Sequence, residues 1–216
     1  MKKGYTDITF LLDRSGSMAG TKKETLTGYN EFLKEQKDVD GKATFTLVQF
    51  ATNSMIEPTK NIQEVELLTN KTYSPTGSST AYLDALGRAI NETGRRLRSL
   101  SESERPEKVI VVVITDGFEN SSKEFTKATI NDMIKHQEQT YNWQFVFLGA
   151  NFDAVTEGKA LGMSVARAFT YTQNDEGLKN AYGALSANMS SFRVGTVENM
   201  NFKEEQREKK STSKSK

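Results

Sequence analysis

The chain has 216 residues, with 29 Lys and Arg against 28 Asp and Glu, one histidine and no cysteine. Disulfides, thiolate zinc sites and thiol nucleophiles are excluded, and a single histidine excludes multi-histidine metal sites and argues against a Ser-His-Asp mechanism. A net charge of +1 is too balanced for nonspecific binding of nucleic acid.

At this length the expectation is one full domain with a tail. The longest apolar run, Val109 to Ile114, is far short of the ~18 residues of a membrane span. The start Met1-Lys2-Lys3 is followed by an apolar stretch that Asp7 and Asp13 interrupt, which leaves no room for the core of an export signal. A protein of the cytoplasm, without membrane attachment, is the resulting expectation.

In chain order, Ile8–Leu12 reads as a buried strand. Leu26, Tyr29 and Leu33 follow at helical spacing, and Ala43–Phe50 is a second strand rich in β-branched and aromatic residues. A weaker strand is expected near Ser54–Glu57. Leu83, Leu86, Ile90 and Leu97 mark a second helix, and Val109–Ile114 the most apolar strand. Phe125, Thr129 and Met133 suggest a third helix, Trp143–Leu148 a further strand, and Ala168–Thr172 another. Leu178, Ala181, Tyr182, Leu185, Met189 and Phe192 form the clearest amphipathic stripe, over a helix at Glu176–Phe192. Unbroken apolar strands suit a sheet covered on both faces. Strands alternating with helices predict an α/β fold: a doubly wound, mostly parallel central sheet with helices on both faces, Rossmann-like in layout. The domain is expected over residues 1–202. Residues 203–216 hold six basic and three acidic side chains and no apolar one, and read as a disordered polar tail.

Ligands of open α/β sheets sit beyond the C-terminal strand ends. After the first strand comes Asp13-Arg14-Ser15-Gly16-Ser17-Met18, and after Ile114 comes Thr115-Asp116-Gly117-Phe118-Glu119-Asn120. If the two strands are neighbours, Asp13 and Asp116 share one crevice. The alternation of Asp13, Ser15 and Ser17 puts three oxygen side chains in one tight loop, with Gly16 permitting the turn. The next candidate oxygen is Thr80, after Ser78-Ser79 and just ahead of a helix; Ser78 is a rival for the same role, and Ser79 or Thr80 could instead cap that helix. Such a set of hard oxygens suits Mg²⁺, with Mn²⁺ or Ca²⁺ as alternatives, and disfavours zinc and copper. Two carboxylates and three hydroxyls leave at least one position for an outside ligand, for which a partner's Asp or Glu carboxylate is the natural choice.

Asp13-x-Ser15-x-Ser17 resembles the DxSxS motif of von Willebrand factor A domains. Thr80-Ala81-Tyr82-Leu83-Asp84-Ala85-Leu86 resembles that family's threonine loop running into a helix, and Val111–Gly117 its strand ending in TDG. DxSxS alone is a weak match; three elements in the right order are specific, and the likeness extends over residues 5–192. The resemblance implies a metal-ion-dependent adhesion site. In it Ser15, Ser17 and Thr80 bind the ion through their hydroxyls, and Asp13 and Asp116 bind it directly or through water. It also implies a non-enzymatic module that binds a protein partner through an acidic side chain. Intracellular members of bacteria and phages act as adaptors or assembly proteins, some beside AAA+ ATPases. Met18, Ser78, Ser79, Phe118 and Asn120 are expected at the partner-binding rim.

The contrasting expectation is a Mg²⁺-dependent phosphohydrolase or phosphotransferase on a similar sheet. It needs a second aspartate where Ser15 stands and a lysine at a later strand end. His136, among polar residues, reads as an exposed helix position. Gly149-Ala150-Asn151-Phe152-Asp153 lacks phosphate-loop spacing and reads as a turn capped by Asn151 or Asp153. Arg95, Arg96 and Arg98 read as a solvated helix face.

Overall fold

A computed structural model describes residues 1–150 and 153–204. Its strands are β1 (Lys2–Asp13), β2 (Lys42–Phe50), β3 (Ser54–Ile56), β4 (Lys60–Asn61), β5 (Pro106–Thr115), β6 (Gln144–Ala150) and β7 (Ala168–Tyr171). Its helices are α1 (Lys22–Asp38), α2 (Tyr82–Arg98), α3 (Lys127–Tyr141), α4 (Ala154–Ala160) and α5 (Asp175–Arg193). The sheet order is β3-β2-β1-β5-β6-β7, with β4 also on β2. β1, β2, β5, β6 and β7 are parallel to their neighbours, while β3 and β4 run antiparallel to β2.

The apolar runs are explained by two cores that share one sheet. Ile8, Phe10 and Leu12 point to one face with Ile110, Val112, Ile114, Val146 and Leu148, and pack on Tyr29, Phe32 and Leu33 of α1 and on the α5 stripe. Leu11, Val109, Val111, Val113, Phe145 and Phe147 point to the other face and meet α2 and α3. Because alternate residues feed opposite cores, the strands are mostly apolar on both faces, with buried polar exceptions such as Asp7 and Thr9 that find partners of their own. Phe10 sits edge-on to Tyr29, ring centres 5.4 Å apart. All six residues expected on the α5 stripe are buried.

Two expectations need correction. The third helix starts at Lys127, so Phe125 precedes it. Its fully buried side chains are Ile130 and Ile134, one turn apart, while Thr129 is exposed; Thr126 caps the helix by accepting from the Thr129 amide. Arg96 does not belong to a solvated face: it pairs at 2.8 Å with Asp7, which is fully buried on β1. Next to that pair the Thr9 and Thr93 hydroxyls share a hydrogen bond at 3.1 Å, so α2 is docked on β1 by a short polar ladder. Asp153 caps α4 by accepting from the Thr156 amide, as expected, whereas Asn151 lies outside the described residues. Residues 205–216 of the expected tail lie outside them as well. Met200 and Phe202 are buried, and Phe202 packs on Phe169 of β7. No described helix is long and apolar enough to cross a membrane.

Candidate metal centre

The chain leaves β1 toward β2 on one side and later returns to place β5 on the other. The C-terminal ends of β1 and β5 therefore flank the point where strand order reverses, the usual ligand crevice of such sheets. Leu12 pairs with Ile114, which brings Asp13 level with Thr115. The Thr115 hydroxyl donates to Asp13 Oδ2 at 2.6 Å, and the Ser15 amide donates to Asp13 Oδ1 at 2.7 Å. Ser15 Oγ and Ser17 Oγ are 3.0 Å apart, and Ser17 Oγ donates to Asp116 Oδ1 at 2.6 Å. Asp13, Ser15, Ser17 and Asp116 thus form one continuous chain of oxygens across the two strand ends.

Backbone contacts bring the loop that carries Thr80 up against the serine loop. The Gly16 amide donates to the Gly77 carbonyl at 3.0 Å, and the Thr76 amide to the Arg14 carbonyl at 2.8 Å. A Cβ on Gly16 would lie 2.5 Å from that Gly77 oxygen, so the approach requires glycine there; Gly77 itself has φ +91°, a left-handed conformation. On the far side, Asn120 grips Thr80 twice: its Oδ1 accepts from the Thr80 amide at 2.8 Å, and its own amide donates to the Thr80 carbonyl at 3.1 Å. The Thr80 hydroxyl then lies 3.1 Å, and that of Ser17 4.0 Å, from where a Cβ on Gly117 would stand. Neither Ser79 nor Thr80 caps α2. The cap position is Ala81, and the free amides of Leu83 and Asp84 are taken by Glu119 Oε2 and Ser122 Oγ, both at 3.0 Å. Asp84 accepts in return from the amides of Lys123, Glu124 and Phe125, each at 2.9 Å, which staples the loop after β5 to the start of α2.

The rim residues behave differently from one another. Phe118 is 64% exposed and Ser78 is exposed. Ser79 is half-buried and its hydroxyl is 2.7 Å from that of Thr52. Met18 is fully buried, so it is a floor residue and not part of any docking rim: the short helical turn after Ser15 swings its side chain inward. Asn120 works as the clamp on Thr80 described above. His136 is exposed, stacked edge-on to Tyr141.

Three contributors escaped the sequence reading. Thr115, next to the aspartate of the TDG segment, carries the donor to Asp13. Tyr73 donates its hydroxyl to the Asp13 carbonyl at 2.8 Å. Gln173, on the loop between β7 and α5, donates through Nε2 to Asp116 Oδ2 and to the Ser17 carbonyl, the latter at 3.2 Å. Period-two spacing in β5 could have flagged Thr115, whereas nothing local points to Gln173, 57 residues from Asp116.

Electrostatics fit a cation. Burial pushes the Asp13 carboxyl up to about 6, against the opposing pull of the Thr115 and Ser15 hydrogen bonds, and Asp116 nearby raises it further. Burial also raises Asp116, opposed by the Ser17 and Gln173 hydrogen bonds. No positive side chain figures among the causes of either shift. Among the described residues no three His, Asp or Glu side chains gather in one place, so the hydroxyls must supply part of any donor set. Two carboxylates and three hydroxyls match the hard-oxygen preference of Mg²⁺ and its relatives.

Comparison with known proteins bears on the fold. No curated protein matches the chain. Among solved structures, it is similar to proximal thread matrix protein 1 from the mussel byssus, with TM-score 0.61 and 18% identity over 88% of this chain and 47% of that one. A second structure of that protein, described as having a zinc-occupied MIDAS motif, aligns with TM-score 0.56 and 17% identity over 84% of this chain and 47% of that one. The pilus adhesin SpaC from Lactobacillus rhamnosus GG aligns with TM-score 0.65 and 12% identity over 88% of this chain and 31% of that one. The chain spans less than half the length of each of these chains, and at such identities the likeness concerns the fold. The model of the von Willebrand factor type A domain matches residues 8–119, a span that runs from β1 through the Thr80 loop to the residues just past Asp116. With over half of its length matched and the parallel sheet of that fold around the crevice, the chain belongs to the von Willebrand factor type A domain family.

Proposed function

We propose that the chain is a protein-binding module whose grip depends on a divalent cation. Asp13, Ser15, Ser17, Thr80 and Asp116 would hold the ion as a metal-ion-dependent adhesion site, Mg²⁺ by preference, with Mn²⁺ or Ca²⁺ as substitutes. When bound, Mg²⁺ supplies the positive charge that the site lacks. The observation that carries this reading is the fully buried Asp13 carboxylate and the half-buried Asp116 carboxylate, linked through serine hydroxyls at 2.6–3.0 Å, with no ion pair to either among the described residues. Leaving two such groups uncompensated in a strand-end crevice is costly unless a ligand brings the opposite charge.

The protein's own groups divide the work. The Thr115 hydroxyl and Ser15 amide fix both oxygens of Asp13, so this carboxylate is held in place before any ligand arrives. The Asn120 clamp and the Gly16–Gly77 contact hold the Thr80 loop against the serine loop. Neutral hydroxyls offset little of a dication's charge, which leaves attraction for an Asp or Glu carboxylate on a partner protein. Phe118, exposed beside Asp116, offers apolar area next to that charge. The function is binding and not turnover, in keeping with a family of interaction modules.

Electron paramagnetic resonance of Mn²⁺ with the wild-type chain, with Asp13→Ala and with Mg²⁺ as competitor tests the reading, in the presence and absence of acetate. One site per chain, lost in the variant and displaced by Mg²⁺, is expected. No bound Mn²⁺ even with excess acetate would overturn it.

A further inference from the structure

Gln173 is the one residue in contact with the carboxylate chain that comes from the loop between β7 and α5. Its Nε2 meets two acceptors, Asp116 Oδ2 and the Ser17 carbonyl. Neither can donate, so the nitrogen and not the oxygen of the amide must face the site. The loop is held firmly. Asn174, next in sequence, caps α5 by accepting from the Gly177 amide at 2.8 Å, and a Cβ on Gly177 would lie 2.0 Å from the Thr172 carbonyl oxygen. The amide is thus delivered to Asp116 by a backbone with little freedom.

We propose that Gln173 is a positioning and selectivity residue of the site: its neutral amide orients Asp116 and limits the donor set to two carboxylates, which reserves a coordination position for a carboxylate from outside. The proposal rests on the metal-site reading above and specifies how that site is kept open. The physical reason is isosteric. A glutamate would carry an oxygen where Nε2 now stands, against Asp116 Oδ2. Without a cation that is like-charge repulsion inside a partly buried crevice. With a cation it is a third carboxylate from the chain itself, which occupies the place left for a partner and favours Ca²⁺, whose larger shell accepts more carboxylates than the octahedral shell of Mg²⁺. The amide avoids both outcomes and still donates to Asp116.

The test compares wild type, Gln173→Glu and Gln173→Leu as full-length chains, by Mn²⁺ titration with and without acetate, by Mg²⁺ and Ca²⁺ competition, and by thermal melting in EDTA. For Gln173→Glu we expect Mn²⁺ affinity at least tenfold higher, no further gain from acetate, a shift in preference toward Ca²⁺, and a lower melting temperature in EDTA. For Gln173→Leu, which removes the donor without adding charge, affinity should fall about threefold with acetate dependence retained. Opposite signs in the two variants separate positioning from a plain structural role, which would weaken binding in both. Equal losses in both, or wild-type affinity and selectivity in both, overturn the proposal while leaving the metal site intact. A wild type that takes up no Mn²⁺ overturns the reading beneath it as well.

Discussion

Thr115 and Asp13 face each other across β5 and β1, and the Thr115 hydroxyl donates to Asp13 Oδ2 at 2.6 Å with both residues fully buried. This bond ties the two strand ends that carry the carboxylates into one unit. Replacing Thr115 with Val keeps the shape and removes the donor. The expected cost is about 1–3 kcal/mol, since a buried carboxylate loses a hydrogen bond. Urea denaturation measures it, and the Mn²⁺ titration should show weaker binding in the same variant.

The raised Asp13 carboxyl makes a signed statement about pH. Its folded value of about 6 lies above the ordinary carboxylate value, so between the two the folded state binds more protons than the unfolded one. The stabilising contribution is present at the acid end of that window and is lost as pH rises through about 6. In EDTA, wild type should therefore lose stability relative to Asp13→Asn between pH 4.5 and 7.5, by roughly 1–3 kcal/mol. Mn²⁺ affinity should move the other way and climb with pH, because proton and cation compete for one carboxylate. A stability difference between the two proteins that stays flat with pH would remove the basis of this prediction.

Asn120 is predicted to matter through Thr80. Asn120→Ala removes the acceptor of the Thr80 amide, while its own backbone bond to the Thr80 carbonyl can persist. About 1 kcal/mol of stability and several-fold of Mn²⁺ affinity should go with it. Ser78→Ala, at an exposed neighbouring position, is the control and should change neither.

Gly16→Ala tests the backbone contact between the serine and threonine loops. The new Cβ would stand 2.5 Å from the Gly77 carbonyl, so one loop has to move. Overpacking of this kind costs about 1–3 kcal/mol. Because the displaced loop leads to Thr80, Mn²⁺ affinity should drop by tenfold or more, and a crystal structure of the variant should show the two loops parted.

The middle of β1 gives a prediction with the reverse pattern. Arg96→Leu leaves the buried Asp7 carboxylate without its cation. A loss of about 2–4 kcal/mol is expected, moderated by the partial exposure of Arg96. Six residues of strand put Asp7 about 20 Å from Asp13, so Mn²⁺ affinity should be unchanged. Denaturation and metal titration on one preparation separate the two effects.

The parts of this protein that could be read from its residues are those whose cause is local. Unbroken apolar strands announce a sheet with two cores, the α5 stripe announces its buried face, and Asp13, Ser15, Ser17, Thr80 and Asp116 stand in short segments at the ends of recognisable elements. Phe125, Thr129 and Met133 keep a helical step as well, so periodicity alone does not tell that α3 starts after the Thr126 cap or that Ile130 and Ile134 are its fully buried residues. Met18 follows a ligand-like segment, which points to the rim, but the helical turn after Ser15 sends it into the core.

What the fold alone decided is which distant residues meet. Strand order places β1 beside β5, so that the Thr115 hydroxyl finds Asp13 and the serine loop finds Asp116. The return of the chain along β7 brings Gln173 to the same carboxylate, and the docking of α2 on β1 turns one arginine of an outwardly basic helix end into the partner of a buried aspartate. Each of these contacts joins residues dozens of positions apart, and each depends on strand order and register. Periodicity and turn residues report the conformation of a segment; they carry no information about which segment will lie beside it.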